Sequence, residues 1–237
     1  MGFLVRLWHC VFHPERGFAR VAEEAPGLWP SLGRMFLLRV PVAYLAYVLL
    51  AAQALHGYTE LKNPDGEIWR TVLPYLQQAS PDLEFQEVRA LLEQLPHFPA
   101  WGTLLAWGLL VAPVGILGLW MHDAAWDHGC LWMLGGLKGR KEFRTTLVAE
   151  SEALSVGVFG AALSLLGQIP WAGWILSLPL GIVGIWFWVL RGFSLAAFHG
   201  VPPWKGVVAT LLHAFLAGCC LLGLIGLIAL LLLVPVG

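Results

Sequence analysis

Charge is what this sequence has least of. Asp, Glu, Lys and Arg make up 12% of its 237 residues, roughly half the share of an ordinary soluble domain. Apolar residues make up 58%. A soluble fold of this size cannot bury so much apolar surface, so that class is excluded. The net charge of −1 and the lack of any basic run interleaved with aromatics count against a nucleic-acid partner. Cysteine is scarce too. Cys10, Cys130, Cys219 and Cys220 fit no zinc framework, and the vicinal pair sits in an apolar run, as small hydrophobes do. No structural disulfide is expected. The opening MGFLVRLWHC has no clean apolar core followed by a small-residue cleavage site, and Arg6 stands where a myristoylation signal needs Ser or Thr. No Ser-His-Asp, Cys-His or phosphate-cradling glycine pattern is present. Residues 134–139 are glycine-rich but follow no strand and do not fit a P-loop. The expectation is a protein without catalytic residues, cofactor or metal.

What the chain has in abundance is long apolar runs and 13 tryptophans, which suit the headgroup level of a bilayer. The fold class expected is an all-α integral membrane protein of five transmembrane helices. The spans fall at about 36–55, 101–121, 146–167, 171–190 and 206–234, each near the ~20 residues a bilayer core requires. Residues 1–35 form a cytosolic amphipathic segment. In it Phe3, Leu4, Leu7, Trp8, Val11 and Phe12 recur at helical spacing up to Pro14, and a second short helix runs over 17–24. The membrane domain is 36–237. Its first loop, 57–99, reads as an external acidic cap with one helix over 67–78 and another started by Ser80-Pro81.

Orientation follows the basic residues. Arg6, Arg16, Arg20, Arg34, Arg39, Lys138, Arg140, Lys141, Arg144, Arg191 and Lys205 collect on one side, against Lys62, Arg70 and Arg89 on the other. That places the amino terminus in the cytosol and the carboxyl terminus outside.

Outside residues 1–35 and the 57–99 loop, polar residues interrupt the apolar chain at length only from His122 to Glu152. His122, Asp123, Asp127 and His128 resemble metal ligands, yet at about 100° per residue only Asp123 and Asp127 share a helical face. All four cannot grip one ion from an unbroken helix. A carboxylate site of Asp123, Asp127 and Glu150, with Glu152 nearby, would suit a hard cation or a proton. The simpler reading, preferred here, pairs these acids with Lys138, Arg140, Lys141 and Arg144 at the cytosolic boundary. His213 lies about two turns into the fifth span, as an interhelical hydrogen-bonder or a proton carrier.

His128, Leu134-Gly135-Gly136, Lys138-Gly139, Phe143 and Thr145-Thr146 entering a span resemble the centre of the Yip family of Ypt/Rab-interacting membrane proteins. Ile169-Pro170 with Gly173, His199 followed by Lys205, and His13-Pro14 with Phe18 extend the resemblance over most of the chain outside 57–99. It departs at Leu154, Ser155 and Val156, where a proline is expected. The resemblance implies five spans, a cytosolic amino terminus and an adaptor role in membrane organisation or traffic. The chain lacks the longer hydrophilic arm of the eukaryotic members, which counts against small-GTPase binding and points to a bacterial inner membrane.

The expected function is therefore a non-catalytic adaptor or scaffold. It would engage lipid, other membrane proteins or copies of itself through a cytosolic face that includes His128, Gly135, Gly136, Lys138, Arg140, Lys141, Phe143, Arg144, His199 and Lys205. The alternative is a small proton- or cation-coupled transporter using the carboxylates at the cytosolic ends of the second and third spans.

Overall fold

The computed structural model describes residues 3–63, 66–79, 90, 92, 94, 96–137 and 142–233. Among them the chain is helical with no strand. The helices are α1 (Phe3–Phe12), α2 (Pro14–Glu23), α3 (Leu28–Lys62), α4 (Glu67–Ala79), α5 (Trp101–Met133), α6 (Phe143–Val156), α7 (Val158–Ser164), α8 (Pro170–His199) and α9 (Pro203–Leu233). A 3-10 turn, Leu165–Gln168, joins α7 to α8. By length and composition Leu28–Lys62, Trp101–Met133, Gly173–His199 and Pro203–Ile225 can each cross a bilayer. Phe143–Val156 and Val158–Gln168, bent by 46°, make a fifth crossing if counted as one span. The chain is an all-α multi-pass membrane protein.

The expected spans 36–55, 101–121 and 171–190 fall inside α3, α5 and α8, and these helices run on past them. The expected span 146–167 is divided among α6, α7 and the 3-10 turn, and 206–233 lies in α9, residue 234 falling outside the described residues. α3 has 35 residues and α5 has 33, about 50 Å each at 1.5 Å per residue, against a hydrocarbon core of about 30 Å. Hydropathy marks where a helix turns polar, whereas the backbone hydrogen-bond ladder continues until a cap or a breaker ends it. Pro41, Pro113 and Pro179 lie inside α3, α5 and α8, and Pro74 inside α4. The expected second helix of the acidic segment and the basic residues Lys138, Arg140 and Lys141 lie outside the described residues.

The chain divides into two compact units. Residues 44–112 form one, holding the end of α3, α4 and the start of α5. Within it Trp69 Nε1 donates to the Leu61 carbonyl at 2.7 Å, and the Tyr58 hydroxyl donates to the Pro96 carbonyl. The other unit, 1–43 with 113–237, carries the larger core. There Phe18 and Val21 of α2 pack with Leu131 of α5, Ala149 of α6 and Leu190 and Leu195 of α8.

The amino-terminal pair is amphipathic as its spacing indicates. Phe18 and Val21 are buried, while Leu4, Trp8 and Phe12 of α1 are more than half exposed, the arrangement of a helix set against lipid.

α6 is the centre of this unit. From Val148 to Val156 every residue is buried, including Glu150, Ser151, Glu152 and Ser155. A helix enclosed on all sides is normally apolar all round. This one is polar, so its neighbours must supply partners. Ser194 of α8 donates to the Ala149 carbonyl at 2.8 Å, and Trp120 Nε1 of α5 donates to the Leu147 carbonyl at 3.0 Å.

α8 and α9 meet through glycine. A Cβ on Gly192 would collide with the backbone of Val207, and one on Gly206 with the Gly192 carbonyl oxygen. Small residues let two membrane helices approach to backbone contact. Gly200, at φ +64°, closes α8 in the left-handed conformation, and only Val201 and Pro202 separate it from α9.

Candidate functional site

Arg191 is the hub of a buried charge cluster. Its Nη1 lies 3.1 Å from Asp123 Oδ2, its Nη2 2.8 Å from Asp127 Oδ2 and its Nε 3.1 Å from Glu150 Oε2. All three carboxylates are at most 4% exposed, and Arg191 is 8% exposed. Asp123 and Asp127 reach one guanidinium because they are one helical turn apart on α5. Glu150 comes from α6 and Arg191 from α8, next to the glycine that brings α9 close. α9 adds His213, 1% exposed, with Nδ1 2.7 Å from Asp127 Oδ1. The planar fork of arginine is what permits three carboxylates on one side chain. Trp188 lies 4.5 Å from the guanidinium carbon and meets His213 edge-on, and Trp126 stacks parallel to the His213 ring.

The acids of the polar stretch therefore do not take Arg144, which is exposed. Asp123, Asp127 and Glu150 take Arg191. Glu152, two residues on and facing another way, binds Arg34 and, at 3.1 Å, Arg6, and accepts from Ser31 Oγ at 2.6 Å. Glu152 thereby ties α1 and α3 to α6. In sequence, Arg191 reads only as a marker of membrane side. The overlooked signal is its isolation. A lone arginine inside the apolar run of α8, with no acid on its own helix, needs an acid from another.

Above the cluster the third span breaks at Gly157. Arg39 of α3 donates from Nη1 to the Gly157 carbonyl at 3.0 Å, which also accepts from the Ala161 N–H at 3.1 Å. A cavity of about 360 Å³ lies at this break, with Arg39, Asp123, Gly157, Gly160, Trp188 and Arg191 in its walls.

The residues that carried the family resemblance assemble elsewhere in the same unit. His128 Nδ1 and His199 Nε2 each lie 2.8 Å from Thr146 Oγ1, and Phe143 meets His128 edge-on. Lys205 Nζ donates to the carbonyls of Leu134, at 3.1 Å, and Gly135, at 3.4 Å. His199 is the last residue of α8 and is buried. Gly136 sits against Leu131, with no room for a Cβ.

No family model, curated protein or solved structure matches the chain.

Proposed function

We propose that this multi-pass protein handles a cation, a proton or a metal ion, at the cluster of Asp123, Asp127, Glu150, Arg191 and His213. One observation carries the reading. Three buried carboxylates share one guanidinium, so the fully ionised cluster with neutral histidines holds two negative charges in excess, which Arg39 across the adjoining cavity offsets only in part. Buried charge without compensation is costly in any low-dielectric surroundings, and bound protons or a bound cation supply the balance. The cavity beside the cluster, at a break in a span, supports the same reading, since interrupted helices are where membrane proteins expose backbone and side chains to ions. Of the two functions expected from the sequence, this is the transporter alternative. In proteoliposomes an imposed cation gradient should drive flux, read by an internal pH- or metal-sensitive dye. Asp127→Asn should abolish it while the purified protein keeps its elution volume. Wild-type protein silent to protons and metal ions alike would defeat the reading.

A second reading stays beside it because the resemblance residues come together. His128, Phe143, Thr146, His199 and Lys205 lock the ends of α5, α6, α8 and α9 to one another. That supports a Yip-like membrane-organising adaptor, in a bacterial inner membrane with this end in the cytosol, presenting the 135–144 connection to partners. Crosslinking in native membranes tests it: neutralising Arg140, Lys141 and Arg144 should remove specific partners without altering cation flux.

A further inference from the structure

We propose that His122, Asp123 and His213 bind one divalent transition-metal ion of the zinc type. The proposal rests on the cation-handling reading of this cluster and narrows which cation it takes. Donor atoms of the three residues lie within 4.8 Å of one another. One pair, His122 Nδ1 and Asp123 Oδ1, is 3.2 Å apart, and two ligands held at ~2.0–2.1 Å by a tetrahedral ion stand about 3.3 Å apart. His122 and Asp123 come from α5 and His213 from α9, which removes the objection that one unbroken helix cannot gather the ligands.

His213 supplies the independent observation. The residue is 1% exposed and its Nε2 has no hydrogen-bond partner among the described residues, a costly condition for a buried ring nitrogen. Its other nitrogen is occupied by Asp127 Oδ1, and the second oxygen of Asp127 is held by Arg191. With Nδ1–H given to Asp127, Nε2 carries the lone pair. A carboxylate fixing the tautomer and ring plane of a histidine in this way is the usual support of a metal ligand. Trp126 and Trp188 bound the ring on two sides, so it keeps that orientation.

Charge and chemistry select the ion. Two positive charges cancel the two excess negative charges of the three carboxylates on Arg191. Asp123 can serve both partners, since Oδ2 faces the guanidinium and Oδ1 faces His122. Two imidazoles with one carboxylate suit zinc and its neighbours better than magnesium or calcium, which take oxygen. The His122 side chain is 52% exposed, so the site has an accessible side with room for water or another ligand.

The test is equilibrium binding of Zn²⁺ alone to the purified full chain in detergent, with Co²⁺ as the spectroscopic probe. The expected result is one ion per chain and a visible Co²⁺ spectrum of nitrogen and oxygen ligands. His122→Gln should weaken Zn²⁺ binding at least about tenfold. This variant keeps Arg191 and all three of its carboxylates, and with the His122 side chain 52% exposed it should retain the wild-type melting temperature, which the same preparation checks against misfolding. His213→Gln should abolish the Co²⁺ spectrum. A chain that binds no Zn²⁺, or whose affinity is unchanged in both variants, overturns the proposal. Proton flux persisting in a chain that binds no Zn²⁺ would sink this inference alone, whereas loss of both would also sink the cation-handling reading.

Discussion

Arg191 is the side chain on which most depends. Removing its charge leaves Asp123, Asp127 and Glu150 buried together without a cation. Breaking a buried ion pair from one side costs about 3–5 kcal/mol, so Arg191→Leu should lower the thermal midpoint in detergent sharply. Arg191→Lys keeps the charge but cannot serve three carboxylates from one ammonium, and should fall between the two. A midpoint for Arg191→Leu equal to wild type would mean that the cluster carries no net charge needing arginine.

Cys10 offers a second test at the same scale. It is 1% exposed in the core where α1 meets α2, and burial pushes its thiol from the ordinary 9.0 up to about 12. The folded state favours the neutral thiol. Its contribution to stability is therefore complete below about pH 9 and is withdrawn as pH climbs toward 12. At pH 8 the Cys10 thiol should resist maleimide in the native protein and react once SDS unfolds it, as peptide mapping would show.

Part of this chemistry was legible beforehand. The i, i+4 spacing of Asp123 and Asp127 already put both on one face. Their partner was not, because Arg191 is 64 residues from Asp127 and no local pattern links them.

At the scale of the elements, the close crossing of α8 and α9 sets the geometry of the site, since it brings the helix of Arg191 beside the helix of His213. Any side chain at Gly206 must displace the Gly192 backbone. Gly206→Val should cost about 1–3 kcal/mol by overpacking and should also weaken cation binding, because His213 moves away from Asp127. A thermal melt combined with Zn²⁺ titration separates the two effects. Loss of stability with unchanged affinity would show that the crossing holds the fold without setting the site.

The break at Gly157 is the other determinant. Hydropathy reads residues 146–167 as one continuous span, since composition is apolar across the break. Only the packing displays the bend and the Arg39 guanidinium set against it. The burial of His199 is hidden from the sequence for a related reason. The Gly200-Val201-Pro202 sequence signals a loop, but the helix continues to the residue before the glycine and turns His199 inward to Thr146.

For the whole molecule, five crossings place residues 3 and 233 on opposite faces of the membrane, and four would place them on the same face. The proposed topology has five, with the amino end in the cytosol. An alkaline phosphatase reporter, active only outside the cytosol, should be active after Lys62 and after Leu233 and inactive after Leu137. Activity after Leu137 with none after Lys62 or Leu233 would reverse the proposed topology.

The sequence by itself determined that this is a membrane protein, that it is helical, and approximately where its long helices lie. Apolar runs, helical period and proline or glycine stops are properties of neighbouring residues. Only the tertiary structure decided which charges meet. Arg191 finds Glu150 across 41 residues, and His213 finds Asp127 across 86. Those pairings come from close crossing of helices at small residues, and the energy of burying a charge is fixed by what the other helices place beside it.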